Sequence, residues 1–305
     1  MKTVLITGGT GLIGMKLSKM LKQKGYTLHL LSRSNTPVEN YDKVFTWNIH
    51  QRELDETALD GVTDIIHLAG AGIADARWTD SRKELIISSR VDSIALIEES
   101  LRKRNQKVQS LISGSAVGWY GARTDAMTHV EAEPAADDFM GETCRKWELA
   151  VDAFDDIAER IVKIRTGVVL AKDGGALPTM KMPFNFFVGS PLGSGKQQIQ
   201  WIHLEDICRV FLDAVENDAY RGAYNASATE SCSNREFSKT LAKVMNRPIL
   251  PITVPSFALK MVLGEMSAVV LEGSRVSNKK LLSQGFEFKF NNLEDALKDL
   301  LDGSK

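Results

Sequence analysis

The sequence is poor in the residues that staple or metallate small domains. Its three cysteines, Cys144, Cys208 and Cys232, are far apart and odd in number, which excludes a disulfide framework or zinc-ligand set and fits a reducing compartment. The five histidines are scattered without metal-ligand spacing, so no metal site is expected. An excess of one charge is also missing. A net charge of −1 leaves no electrostatic footprint for nucleic acid or an anionic membrane. Long apolar runs are absent: Val4–Ile6 is too short for a signal peptide. The most apolar late stretch, Phe257 to Leu271, is interrupted by Lys260 and Glu265 and predicts an amphipathic helix, not a membrane span. There is no internal repeat and no low-complexity tract. These absences predict a cytoplasmic protein, monomer or homodimer, whose partner is a small molecule, with no nucleic acid or membrane partner.

What is present starts at the N-terminus. With 305 residues, 43% of them apolar, the chain suits one large domain or two coupled ones. Val4–Ile6 predicts a buried parallel strand. It runs into Thr7-Gly8-Gly9-Thr10-Gly11-Leu12-Ile13-Gly14, and Leu12, Ile13, Leu17, Met20 and Leu21 then follow at helical spacing. The turn fits Gly9-x-Gly11-x-x-Gly14 and Gly8-x-x-Gly11-x-x-Gly14 alike. In either register glycine permits the tight turn and close backbone approach to a pyrophosphate, and the free N–H groups of the helix start hold the phosphates.

A second strand, Thr27 to Leu31, follows the helix stop at Gly25 and ends at Ser32-Arg33-Ser34. An enzyme for unphosphorylated dinucleotide carries a carboxylate at this tip, for the ribose hydroxyls. Arg33 instead offers a guanidinium that can fork onto a 2′-phosphate, with a serine hydroxyl adding a bond. NADP is therefore favoured over NAD. Val44–Trp47 and Asp64–Gly70 predict two more strands, and the small residues Ala69 to Gly72 at the carboxyl end of the second let backbone lie against a ligand. His67 reads as a packed strand residue. Ser81 to Leu101 predicts a long helix with a capping box at Ser81 and Glu84, carrying Arg90 among Ser88, Ser89 and Ser93. Val108–Ile112 predicts a fifth strand, running into Ser113-Gly114-Ser115-Ala116-Val117-Gly118-Trp119-Tyr120-Gly121, whose hydroxyls and phenol suit hydrogen bonding to a substrate oxygen. Glu142–Phe154 predicts a helix and Ile161–Thr166 a strand. Lys172 to Gln200, with Pro178, Pro183 and Pro191, is expected to be mainly irregular and to face the substrate. A helix is expected from Trp201 to about Glu216, a short strand at Ala223–Asn225, a helix opened by a capping box at Ser233 and Glu236, and a last helix at Leu293–Leu301.

With these motifs the chain resembles the extended short-chain dehydrogenase/reductases over nearly its whole length. More narrowly it resembles the nucleoside-diphosphate-sugar epimerase branch, the "epimerase family protein" group. The glycine turn, His67-Leu68-Ala69-Gly70, Ser113-Gly114-Ser115 with Tyr120-Gly121, Arg165 to Leu170 and Trp201-Ile202-His203 carry the wider likeness. Trp78 with Ser89-Arg90, Lys146-Trp147-Glu148, Pro191 to Gly195, Leu263 to Met266, Glu272 to Val276 and Gly285-Phe286 carry the narrower one. The resemblance implies an α/β fold: a seven-stranded, doubly wound parallel sheet (the NAD(P)-binding Rossmann fold) with a smaller C-terminal substrate lobe. Residues 1–170, with returning segments near 201–226, are assigned to the dinucleotide half, and 171–200 with 227–305 to the lobe. It implies NADP contacts from Gly8, Thr10, Gly11, Leu12, Ile13 and Gly14, from Ser32 and Arg33, from Leu68 and Ala69, from Arg90 and from Val169.

One departure matters for chemistry. The wider family presents Tyr-x-x-x-Lys on the helix after the fifth strand, where lysine lowers the tyrosine pKa for proton transfer. Here that helix holds no tyrosine. Lys146 has Glu142 four residues before it, and counting back from Glu148 places Met140 and Cys144 at the two positions. Ser115 and Tyr120 are the residues nominated for catalysis. Two functions stand: an NADP-dependent oxidoreductase or epimerase acting on a sugar nucleotide or small carbonyl compound, or a non-catalytic NADP(H)-binding sensor or regulator.

Overall fold

The computed structural model describes residues 2–124 and 127–302. Its frame is an eight-stranded sheet. In chain order, β1 (Thr3–Thr7), α1 (Leu12–Gln23), β2 (Thr27–Ser32) and β3 (Lys43–Asn48) build one flank, with β4 (Glu53–Leu54) as a short extension. β5 (Val62–His67), α2 (Asp80–Lys103) and β6 (Val108–Ala116) begin the other flank. After the short β7 (Thr128–His129), α3 (Phe139–Asp152) and β8 (Ala158–Thr166) continue it. The chain then leaves for β9 (Val168–Ala171), β10 (Gly174–Gly175), α4 (Leu177–Asn185), β11 (Gln198–Ile199) and β12 (Trp201–His203). It returns through α5 (Leu204–Glu216) to β13 (Gly222–Ala226) at the sheet edge. β14 (Cys232–Ser233), α6 (Asn234–Val244), α7 (Ser256–Leu263), α8 (Ala268–Leu271), β15 (Arg275–Val276), α9 (Lys279–Leu282) and α10 (Leu293–Leu301) complete the C-terminal lobe.

The sheet order is β13-β8-β6-β5-β1-β2-β3-β4. The first seven strands are parallel and β4 pairs antiparallel with β3. Parallel pairing demands crossovers, and helices supply them on both faces. The period of two decides which residue meets which layer. Val4, Ile6 and Ile66 point to the layer of Leu17, Leu21 and Phe211, whereas Leu5 and Ile65 point to that of Ile94, Ile97, Trp147 and Val151. A third cluster, with Trp201, Phe237, Leu241 and Leu297 at its centre, is the core of the C-terminal lobe. The chain order reverses between β1 and β5, which opens a crevice at their carboxyl ends.

Several local expectations are corrected. The long helix is capped by Thr79, whose side chain accepts from Arg82 N–H, so Ser81 lies inside the first turn and forms no capping box. The stretch from Lys172 to Gln200 is irregular over slightly more than half its length, as expected, but not throughout. It holds α4, with Pro178 in the first turn, where no N–H is needed, and Pro183 inside the helix. Trp201–His203 is a strand; His203 accepts from Glu205 N–H and caps the helix that begins only at Leu204. The expected late amphipathic helix is broken at Gly264, whose φ of +62° is left-handed. The capping box at Ser233 and Glu236 is present as read.

His67 is fully buried on β5; its Nε2 lies 2.8 Å from Ser93 Oγ and its Nδ1 3.5 Å from Ser113 Oγ. Burial, with Arg90 adding to it, holds its pKa down to about 3. Below pH 6.5 the unfolded chain therefore takes a proton that the native chain refuses, and stability falls as pH falls. Between pH 7 and pH 5 the wild type should lose roughly 2 kcal/mol more than a His67→Gln variant, measured by urea unfolding at each pH.

Candidate functional site

The crevice begins where β1 ends. Gly8 has φ +66°, and a Cβ there would stand 2.5 Å from Leu68 O. A Cβ on Gly14 would stand 2.5 Å from Gly9 Cα, so the helix start packs against the turn only as glycine. These contacts choose the Gly8-x-x-Gly11-x-x-Gly14 register. Gly11 N–H donates to Gly8 O at 3.0 Å and closes the turn. α1 then starts at Leu12 with Gly11 as its N-cap, no side-chain cap and no acidic residue in its first turn. The first amides of an α-helix have no partner within the helix, and here no side chain competes for them. The end of β5 is tied to the same place: Leu68 and Ala69 N–H both donate to Thr7 Oγ1 at 3.2 Å.

Two cations flank this cradle. Arg33 is exposed beyond the tip of β2 and makes no ion pair among the described residues. The hydroxyls beside it are pre-ordered: Ser34 Oγ and Thr36 Oγ1 are 2.7 Å apart, and Ser34 N–H reaches Ser32 Oγ at 3.5 Å. Arg90 reaches from α2 across Gly70, whose Cβ would lie 3.0 Å from the guanidinium carbon. Its Nη1 donates to Ile86 O at 2.7 Å and its charge lies 5.1 Å from the Trp147 ring centroid. Burial lowers its pKa. It too has no ion pair among the described residues, which leaves guanidinium donors for an anion. Val169 is brought to the same end of the molecule because β10 folds back on β9 and sets Gly174 and Gly175 against Leu12 at the start of α1.

The far side of the crevice is the end of β6. Ser115 is buried and its Oγ donates to Glu148 Oε1 at 2.7 Å. Arg165, in register with Ser115 on the neighbouring strand β8, grips that carboxylate with two bonds of 2.8 and 3.0 Å. Sequence reasoning gave neither Glu148 nor Arg165 a role. The available signal was spacing: Met140, Cys144 and Glu148 recur every four residues and so share one face of α3. That face settles which register meets the strand. A Cβ on Gly118 would touch Met140 Cβ at 3.4 Å and Cys144 Sγ at 3.7 Å, while Glu142 and Lys146 pair with each other in solvent. Burial pushes the Cys144 thiol up to about 12, so it stays neutral where the wider family places a lysine.

Tyr120 does not fit the role nominated for it. It is 2% exposed and stacks on His129. Its hydroxyl donates to Asn225 Oδ1 at 2.8 Å and accepts from Arg165 Nη1 at 3.0 Å. Burial raises the phenol to about 12. A proton donor must touch the group it protonates, and this ring is closed behind β6 and β8. Its partner Asn225 donates to Ser277 O at 3.0 Å, and Ser274 Oγ donates to Gly121 O at 3.0 Å, so the C-terminal lobe locks the same loop. At the crevice mouth the lobe meets the sheet half again, through Arg77 Nη2 to Met261 O at 3.3 Å and the pair Lys83–Glu265.

Residues 4–160 match the NAD dependent epimerase/dehydratase family, and residues 254–300 match a domain of unknown function, DUF1731. Over 305 residues the chain is 36% identical to an epimerase family protein of Staphylococcus haemolyticus, covering 99% of this chain and all of that one. The epimerase family protein YfhF of Bacillus subtilis is 34% identical over 98% of this chain and 97% of its own. Among solved structures, the human epimerase family protein SDR39U1 with NADPH superposes with a TM-score of 0.87 at 31% identity, covering 99% of each chain.

The buried pair beneath Ser115 generates a stability test. Glu148 and Arg165 are 3% and 2% exposed, so removing one partner strands a buried charge. Glu148→Gln should cost about 3 kcal/mol or more, and the double variant Glu148→Gln/Arg165→Met should recover much of it, read from urea midpoints.

Proposed function

The chain belongs to the NAD dependent epimerase/dehydratase family, and from that premise we propose that it is an NADP(H)-dependent oxidoreductase or epimerase acting on a sugar nucleotide or small carbonyl compound. The observation that carries this reading is the N-terminus of α1, bare of side-chain caps, beside a glycine cradle, with Arg33 at the tip of β2 and free of ion pairs among the described residues. A side chain would fill the cradle, and an anion completes the helix start. Gly8, Thr10, Gly11, Leu12, Ile13 and Gly14 would hold the diphosphate. Ser32 and Arg33 take the 2′-phosphate, and Leu68, Ala69, Arg90 and Val169 line the rest. Residues 1–170 and 201–226 form the cofactor half, and 171–200 with 227–305 present the substrate.

When bound, the nicotinamide supplies hydride transfer. The chain's own part is orientation. With its proton committed to Glu148, Ser115 offers lone pairs and accepts from a substrate hydroxyl. Two bonds from Arg165 keep the Glu148 carboxylate, and with it the Ser115 rotamer, in one position. A second reading, a non-catalytic NADP(H)-responsive protein, draws on Met140 and Cys144 in place of Tyr and Lys and on the closed Tyr120.

Titration of both dinucleotides against the purified chain tests the cofactor half. NADPH should bind about tenfold or more tighter than NADH, and Arg33→Ala should remove most of that difference; an NADH preference, or no binding of either, overturns the reading. A panel of sugar nucleotides and small carbonyl compounds, followed at the NADPH absorbance, separates enzyme from sensor. Turnover that collapses in Ser115→Ala while NADPH affinity is kept supports the enzyme, and a panel without turnover supports the sensor.

A further inference from the structure

Gly9 stands at a variable position of the Gly8-x-x-Gly11-x-x-Gly14 turn, so approach of a phosphate does not require glycine there. A side chain is excluded from the other direction: a Cβ would lie 2.1 Å from Tyr41 Oη and 2.6 Å from Leu30 Cδ1. Tyr41 comes from the segment between β2 and β3, turned under the cradle after Asn40, whose φ of +69° is left-handed. Its hydroxyl donates to Gly9 O at 3.2 Å, with Gly14 O at 3.5 Å. Its neighbour Asp42 fastens the segment: the carboxylate accepts from Leu28 N–H at 2.7 Å and from Lys22 Nζ at 2.8 Å.

We propose that Tyr41 is a positioning residue of the dinucleotide site: its phenol holds the glycine turn from beneath and ties to it the segment that carries Arg33. The inference rests on the NADP(H) reading above. Its physical basis is the planarity of the peptide. With the Gly9 carbonyl drawn inward by the phenol, the Thr10 N–H on the same peptide unit is turned the opposite way, toward the crevice. Arg33 and Tyr41 stand at the two ends of one short loop, so the same contact sets the separation between the diphosphate cradle and the 2′-phosphate cation. Burial raises the phenol pKa well above its ordinary value, and the group remains a donor at any working pH.

Tyr41→Phe removes one oxygen atom and keeps the ring in its packing. Amide hydrogen exchange on the ligand-free full-length chain should then speed up at Gly11, whose N–H closes the turn onto Gly8 O, with the rest of β1 unchanged. The Kd for NADPH should rise about fivefold, more than the Kd for NADH. That rise should shrink in the Arg33→Ala background, while Tm moves by less than about 2 °C. Unchanged exchange at Gly11 overturns the proposal. So does an equal loss for both dinucleotides accompanied by a fall in Tm and faster exchange across the sheet, since that is the signature of a merely structural tyrosine. Wild-type chain that binds neither dinucleotide overturns the preceding reading instead, and the exchange measurement still decides whether the phenol holds the turn.

Discussion

A parallel sheet brings every strand's carboxyl end to one edge, and at the reversal between β1 and β5 two of those ends must pass within van der Waals contact. In this protein that approach is the contact of Gly8 with the Leu68 carbonyl, fastened by Thr7 Oγ1 accepting two amides of the β5 exit. A Cβ at Gly8 would push the strand exits apart. With them together, α1 is aimed so that its unpaired amides face the crevice, and the helix dipole adds a partial positive charge at the same point. That approach places the cradle; Arg90 reaches it across Gly70, and the edge of β9 meets it through Gly174 and Gly175 against Leu12.

The other half of the crevice is organised by a buried ion pair. Desolvating Glu148 and Arg165 is costly, and their mutual attraction repays it only when every donor is used. Here the guanidinium bonds both carboxylate oxygens, Tyr120 and Glu131 O, and lies against the Trp119 ring. Ser115 takes part in the same network as a donor. The polar groups at the end of β6 are therefore rigid, and the protonation chemistry of the wider family is absent from α3. Met140 and Cys144 leave an apolar, neutral surface where a phenol and an ammonium stand in the wider family. The C-terminal lobe takes part too, since Asn225 and Ser274 bind its segment to the loop that carries Tyr120.

Much of the frame was legible from pattern alone. The strand-turn-helix start, the separate strand segments and the Ser233–Glu236 cap follow from short-range rules: apolar period, glycine, and a hydroxyl three residues before a carboxylate; the assembly of seven strands into one parallel sheet comes from the family resemblance. Local misreadings have local causes. Ser81 reads as a cap because Glu84 follows it at capping-box spacing, whereas the backbone turns into the helix two residues earlier, at Thr79. Trp201–His203 shares its apolar character with the helix behind it, and pairing with β9 draws it into a strand. The prolines of α4 signalled a break, yet one of them sits where a helix tolerates it.

Sequence by itself determined the glycine turn, the helix start that follows it and the Ser32-Arg33 strand tip, because each is built from consecutive residues. It also determined that no Tyr-x-x-x-Lys lies on α3. Only tertiary structure decided the partners of Ser115, the closing of Tyr120 and the place of Tyr41 beneath the turn. Each of these joins residues tens of positions apart, with Ser115 33 residues from Glu148 and Tyr41 32 from Gly9. Such pairings are set by which strands and helices become neighbours, which is a property of the assembled sheet; spacing puts Glu148 on one face of α3 with Met140 and Cys144 but does not say what that face meets.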